Sequence, residues 1–239
     1  MSGEAAYDYQ AIARGLRNPA DVEALTDEMA PAYRHILTGW LPANLDAPIY
    51  EMACGPGVML VYLKRLGYTN ISGSDSSACQ IDLARAAGLD VKLANSIDEL
   101  EAHPDARWDC LIAIDFIEHL PKDVLIRFMA LALRKLKPGG RLILRAPNGD
   151  SPFVGRNLFG GITHIWAYTT GEARGLLRMA GFSRVEFAEE SLAMIQRQRW
   201  IKVPLMKLAQ AFLRGLIQAA TREQISLLAP SYFAVAWKS

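Results

Sequence analysis

The sequence predicts an α/β fold, a doubly wound and mostly parallel sheet with helices on both faces. Three observations lead there. Residues 48–75 run from a short apolar stretch into a turn at Gly55 and Gly57. A helical pattern stopped by Gly67 follows, then a second short stretch that ends on Asp75, which makes one strand–helix–strand unit. Residues 108–115 are almost continuously apolar, as in a strand covered on both faces. Strand-like and helix-like segments then alternate along most of the 239 residues, of which 51% are hydrophobic, enough to fill one sizeable core.

The elements follow in order. Residues 1–18 are polar, with Tyr7 and Tyr9, and read as a terminal arm or a lid. Asn18 and Pro19 open a helix whose apolar positions are Val22, Leu25, Met29 and Tyr33 and which extends to about Leu41. A loop over 42–48 leads into the first strand. After Asp75, Ser76 and Ser77 offer an N-cap for a helix to Ala87, closed by Gly88. A third strand over 90–94 delivers Asn95 and Ser96. The fourth, over 108–115, delivers Asp115, Phe116, Glu118 and His119. Pro121 opens a helix with the stripe Val124, Phe128, Ala132 and Leu136. Pro138-Gly139-Gly140 is a turn before a fifth strand at 141–146. A long connection to Thr169 carries Arg156, Asn157, His164, Trp166 and Tyr168, and loops of that length are usually functional. Thr169 and Glu172 form a capping-box pattern for a helix ending at Gly181. Strands at 182–187 and 232–237 complete the set. Residues 191–222 are basic without an acid, and Leu205, Leu208, Phe212 and Leu216 recur at helical spacing, interrupted upstream by Pro204.

The first turn narrows the ligand. Gly55 and Gly57 let backbone come close to a bound group, and the helix behind them points unpaired N–H groups at it. Asp75, at the end of the second strand, can accept from both hydroxyls of a ribose. A dinucleotide fingerprint would place a third glycine where Leu60 stands. Glu51 on the first strand would oppose a pyrophosphate but suits a cation.

These residues resemble motif I of the class I S-adenosylmethionine-dependent methyltransferases, in which an acid ends the first strand before small-x-Gly-x-Gly; here Glu51, Ala53, Gly55 and Gly57 stand at those positions, with Ala53 in place of the usual glycine. The block from Asp115 through Glu118-His119-Leu120 to Lys137-Pro138-Gly139-Gly140 resembles the same family. The resemblance implies a Rossmann-like methyltransferase fold of seven strands, the last antiparallel, with N-terminal helices over the cofactor edge. It implies one domain, 1–239, with a helical cap at 1–45, a cofactor-binding half at 46–146 and an acceptor-side half at 147–239 that holds the insertion 191–222. It implies S-adenosyl-L-methionine as cofactor, Glu51 on the methionyl ammonium side, Asp75 on the ribose, and Asn95 at the adenine amino group; a turn asparagine is the other reading of Asn95. Cys54, Ser76, Ser96, Asp115 and Phe116 fall at the same edge. The Pro147-Asn148 pair, Thr163-His164, and Ala180-Gly181-Phe182 look like a branch that methylates sugars of cell-surface polysaccharides and their lipid-linked precursors, with relatives acting on quinones.

Methyl transfer from a sulfonium requires no metal, so no metal site is expected. A hydroxyl acceptor does require a base, for which His119 and His164 are the candidates. A net charge of +1 argues against nucleic acid as a partner. Cys54, Cys79 and Cys110 are too few and too scattered for a disulfide framework, and with no visible leader or membrane-length apolar run the chain is expected to be cytoplasmic. The basic segment predicts packing on the sheet or on a second copy, or a peripheral foot at the inner face of a membrane. The expected activity is O-methylation of a sugar hydroxyl on a cell-envelope glycoconjugate. A small-molecule methyltransferase, a nicotinamide oxidoreductase and a catalytically inactive cofactor-binding module stand as alternatives.

Overall fold

The structure, a computed structural model, describes residues 15–189, 199–222 and 224–239. Seven strands form one sheet: β1 (Ile49–Met52), β2 (Ile71–Asp75), β3 (Val91–Leu93), β4 (Trp108–Ile114), β5 (Leu136–Pro147), β6 (Arg184–Glu189) and β7 (Ser231–Trp237). Their order is β3-β2-β1-β4-β5-β7-β6. The first five are parallel, and β7 runs antiparallel between β5 and β6. The order reverses at β1 and β4, and ligands in such sheets bind beyond the carboxyl ends of the strands on either side of that reversal.

Helices α1 (Pro19–Leu37), α2 (Val58–Arg65) and α3 (Ala78–Ala86) lie on one side, α4 (Ser96–Ala102), α5 (Lys122–Lys135) and α7 (Thr170–Ala180) on the other, and a single turn α6 (Gly155–Leu158) interrupts the long connection. Each face has its own core. Ile49, Leu60, Leu63, Ile112, Ile143 and Val235 fill one; Trp108, Leu111, Phe128, Leu142 and Tyr232 fill the other. Neighbouring residues of a strand, such as Leu111 and Ile112, go to opposite cores, which is why these strands read as unbroken apolar runs.

Local chemistry sets most of the boundaries. Asn18 caps α1 in a reciprocal box with Asp21, with Pro19 in the first turn. Ser77 caps α3, and Thr169 caps α7, which Gly181 closes at φ +108°.

Several expectations are corrected. Helix α1 ends at Leu37, four residues before Leu41. Helix α4 is shorter than a typical periodic segment, and no pattern in the chain announces it. The Pro138–Gly140 turn lies inside β5, as an irregularity in its pairing between Leu136 and Arg141 with Gly139 at φ +76°. Helix α8 (Arg199–Thr221) runs through Pro204 instead of breaking there. Its Leu205, Leu208, Phe212 and Leu216 are 64%, 69%, 70% and 50% exposed, so packing of this stripe on the sheet is overturned. Tyr7, Tyr9, most of the terminal arm and residues 191–198 of the basic segment lie outside the described residues.

Candidate active site

The carboxyl ends of β1, β2, β3 and β4 open into a cleft of about 1380 Å³, roofed along one edge by Leu25, Glu28 and Met29 of α1. Among the predicted residues, Glu51, Ala53, Cys54, Gly55, Asp75, Ser76, Asn95, Ser96, Asp115, Phe116 and His119 line it. Gly57 does not. Its φ is +88°, and a Cβ there would lie 2.2 Å from Leu89 Cδ1. Gly57 is therefore required by the helix entry and by packing against α3, and the expectation that it bares backbone to a ligand is corrected. Gly55, at φ +54°, does face the cleft, opposite Gln80.

Glu51, the third residue of β1, is 3% exposed. Its carboxyl accepts from the Leu60 N–H in the first turn of α2, while Oε2 is buried with no partner among the described residues. Burial first, and then the charge of Asp75, hold this carboxyl well above the ordinary carboxylate range. Asp75 Oδ2 accepts from Gly55 N–H at 2.9 Å and Oδ1 from Ser77 N–H at 2.8 Å. It therefore builds the turn as well as lining it. Both effects favour the neutral acid, and an incoming cation would favour the charged one.

Ala53 takes φ +49°, a conformation costly for any residue with a Cβ. A relay holds it there. Tyr50 O–H donates to Ser74 Oγ at 2.6 Å, Ser74 donates to Ser96 Oγ at 3.0 Å, and Ser96 Oγ accepts the Ala53 N–H at 3.0 Å. Ser96 is thus an anchor of the turn. Asn95 is corrected too, because its amide oxygen accepts from Ile97 and Asp98 N–H as the cap of α4, at 3.0 and 3.3 Å. Only its NH₂ group remains to address an adenine. Cys54 is buried, and its thiol is pushed up by that burial and by Glu51 and Asp75.

At the end of β4, Asp115 sits at φ +51°, ion-paired with Arg145 of β5. Arg145 lines the cleft and escaped sequence reasoning. The available signal was a cation near the end of an apolar strand, in register with Ile114. Beyond Asp115, the 3-10 turn Ile117–His119 receives the long loop: Glu118 C=O accepts from Ile165 N–H at 2.8 Å, and His119 Nδ1 meets Thr163 C=O at 3.2 Å. His164 Nδ1 meets Asn157 C=O at 2.7 Å, and the two imidazoles stand edge to face 4.7 Å apart. The two predicted histidines, 45 positions apart in sequence, are therefore neighbours. His119 is pulled below the ordinary histidine pKa by burial and then by His164, so it is neutral near pH 7. Asn148 anchors the far end of the loop, donating to Leu227 and Ala229 carbonyls at 2.9 Å each. The ring of Trp166 lies beneath Lys122, whose Nζ is 4.1 Å from its centre.

A profile of the methyltransferase-domain family matches residues 25–187. A curated relative, an S-adenosyl-L-methionine-dependent Diels-Alderase of Talaromyces variabilis, is 28% identical over 171 residues, covering 63% of this chain and 58% of that protein. A ribosomal protein L11 methyltransferase of Cupriavidus metallidurans is 27% identical over 44% of this chain and 34% of its own length. The chain thus spans less than two thirds of the length of these curated relatives. Among solved structures, a SAM-dependent methyltransferase from Archaeoglobus fulgidus superimposes with a TM-score of 0.68 at 19% identity, covering 89% of this chain and 94% of that one.

Proposed function

Because the chain belongs to the methyltransferase-domain family over residues 25–187, we propose that it is an S-adenosyl-L-methionine-dependent O-methyltransferase acting on a hydroxyl, preferably of a sugar on a lipid-linked cell-envelope glycoconjugate. The fold is that of S-adenosylmethionine-dependent methyltransferases. The residues of the cleft fit that cofactor. Glu51 has a buried oxygen without a partner among the described residues that an ammonium would satisfy, and Asp75, Ser76 and Asn95 line the cleft, where the first two would meet the ribose and the Asn95 NH₂ group the adenine. Bound there, the cofactor supplies a methyl group already activated by its positive sulfur.

The rest falls to the chain. It must hold an acceptor oxygen in line and take up its proton. The observation that carries the hydroxyl reading is His119 at the cleft wall beside Asp115 and Arg145, with His164, which does not itself line the cleft, packed against its ring. A neutral imidazole at the wall can receive a hydroxyl proton, while the Asp115–Arg145 pair offers both a donor and an acceptor to neighbouring hydroxyls. The test is methyl transfer to lipid-linked sugars set against free small-molecule acceptors, followed by product mass. His119→Ala should lower turnover about 10²-fold or more while S-adenosylhomocysteine affinity stays within about twofold. Unchanged turnover would remove the base. Transfer to small molecules alone would favour the second reading.

The exposed stripe of α8 supports a lipid-linked acceptor. Residues 199–222 contain no acid, and Lys207, Arg214 and Arg222 accompany Leu205, Leu208, Phe212 and Leu216. Apolar side chains flanked only by cations match an anionic bilayer, each nearby cation adding about 1 kcal/mol. No helix of the described residues is long and apolar enough to cross a membrane. The full chain should sediment with phosphatidylglycerol vesicles, and the double variant Leu208→Glu/Phe212→Glu should bind at least about tenfold more weakly, having lost two apolar anchors. Absence of vesicle binding by the unaltered protein, or a dimer in solution dissolved by the same double variant, would refute the foot.

A further inference from the structure

We propose that Glu118, His119 and His164 form a binding site for one divalent transition-metal ion behind the cleft wall, which His119 reaches. One ligand atom from each of the three lies within 4.8 Å of the others. Two imidazoles and a carboxylate are a donor set suited to Zn²⁺ and its first-row neighbours. The methyl-transfer chemistry gives no reason to expect such a site. The placement of the side chains does.

Glu118 is the first reason. It is 1% exposed, and apart from its own backbone N–H neither carboxylate oxygen has a hydrogen-bond partner among the described residues. Burying a carboxyl without partners is costly, and a cation would offset that cost. The guanidinium close enough to influence it, Arg145, is ion-paired with Asp115. The hydroxyls of Tyr168 and Tyr232 are also buried without partners among the described residues, and both groups feel the charge of Glu118.

The second reason is the set of the histidines. His164 Nδ1 faces the Asn157 carbonyl at 2.7 Å and His119 Nδ1 the Thr163 carbonyl at 3.2 Å. A ring that donates its Nδ1–H to backbone carries its lone pair on Nε2, and this orienting bond accompanies nearly every metal-ligating histidine. His119 also contacts the Asp115 carbonyl, with which an ion would compete. The scaffold around the rings is tight. The Ile165 N–H bond to Glu118 C=O, 2.8 Å long, pins the loop to the turn, and a Cβ on Gly161 would lie 2.6 Å from His164 Nε2, so the bare glycine makes room for the ring. Ligand atoms about 2.1 Å from a cation stand roughly 3–3.5 Å apart, so the three side chains must close by about 1 Å on binding.

His119 lines the cleft, so an open coordination position would face the acceptor. The ion's role there rests on the hydroxyl-methylation reading and would replace His119 as the means of activating the acceptor: it would hold the acceptor oxygen and lower the pKa of its hydroxyl, whose proton then passes to water while the histidines stay bound as ligands. The site itself does not depend on that reading.

The test uses the full-length, tag-free protein stripped with chelator, titrated with Zn²⁺ by calorimetry and with Co²⁺ by visible absorption. One equivalent should bind, with the d–d bands of a nitrogen- and oxygen-ligated Co²⁺. Glu118→Gln, which keeps the side-chain volume, and His164→Ala should each weaken binding at least about tenfold. His35→Ala, at an exposed histidine of α1, should leave it unchanged. Thermal melts and S-adenosylhomocysteine binding confirm that each variant is folded. No stoichiometric binding by the unaltered protein, or equal affinity in Glu118→Gln and His164→Ala, overturns the site. If S-adenosylhomocysteine still binds in that case, the methyltransferase reading stands without the metal.

Discussion

Glu51→Gln should weaken S-adenosylmethionine binding by roughly 1.5–3 kcal/mol, about 10- to 150-fold, while leaving the ligand-free protein as stable as before or more so. The two signs come from one environment. Without ligand, Glu51 is buried beside Asp75, and both burial and that like charge oppose its ionisation. Its folded pKa is thus raised above the unfolded value. The stability it contributes is fully present below the unfolded pKa and is lost as pH rises through the folded one. A glutamine is neutral at every pH, keeps an oxygen for the Leu60 N–H, and escapes that loss. With an ammonium in the cleft the charged carboxylate is favoured, so wild-type binding should release a proton and tighten as pH rises through the folded pKa of Glu51. Calorimetry in buffers of different ionisation enthalpy measures the proton, and thermal melts measure the stability. Equal affinity in the variant, or binding without proton release, would remove Glu51 from the ammonium side.

Asp75→Ala should be damaging on both counts. The carboxylate accepts the N–H groups of Gly55 and Ser77, at 2.9 and 2.8 Å, from a buried position. Removing it orphans two donors within the turn that floors the cleft, for a loss of about 2–4 kcal/mol of stability. In a domain of this size that corresponds to a fall in Tm of roughly 5–15 °C. Cofactor affinity should fall as well, because the ribose edge loses its acceptor and the Gly55 turn its anchor. Asp75→Asn should restore much of the stability, since an amide oxygen can still accept one of the two bonds, and less of the affinity. A variant that binds weakly yet melts like the wild type would mean that the carboxylate contacts ligand without holding the turn.

Asp75 also shows how far a motif can be read. Its place at the end of a strand was evident from the run 71–75, and so was its polar chemistry. That it would first serve the protein's own backbone was not, because this depends on where the Gly55 N–H points after the chain has turned. Asn95 repeats the lesson more sharply: the side-chain oxygen expected at the adenine is consumed by helix α4, whose seven residues give no periodic signal. Gly57 repeats it in another form, as a glycine demanded by Leu89 across the α2–α3 interface instead of by a ligand. The exposed face of α8 is the opposite case, where the helical period was correct and packing of its apolar stripe on the sheet was not.

What the sequence determined by itself was everything with a local or periodic cause. The alternation of buried strands and amphipathic helices, the caps at Asn18, Ser77 and Thr169, the acid and glycine of the first turn, and the two histidine-bearing segments all follow from neighbouring residues and from pattern. The tertiary structure alone decided which distant groups meet. His119 and His164, Asp115 and Arg145, and the buried carboxylate of Glu118 are brought together by strand order and by the docking of one loop on one turn. The reason is physical: hydrogen-bond capping and burial period act within a few residues, whereas the proximity of segments far apart in the chain is set by how the whole sheet closes its two cores.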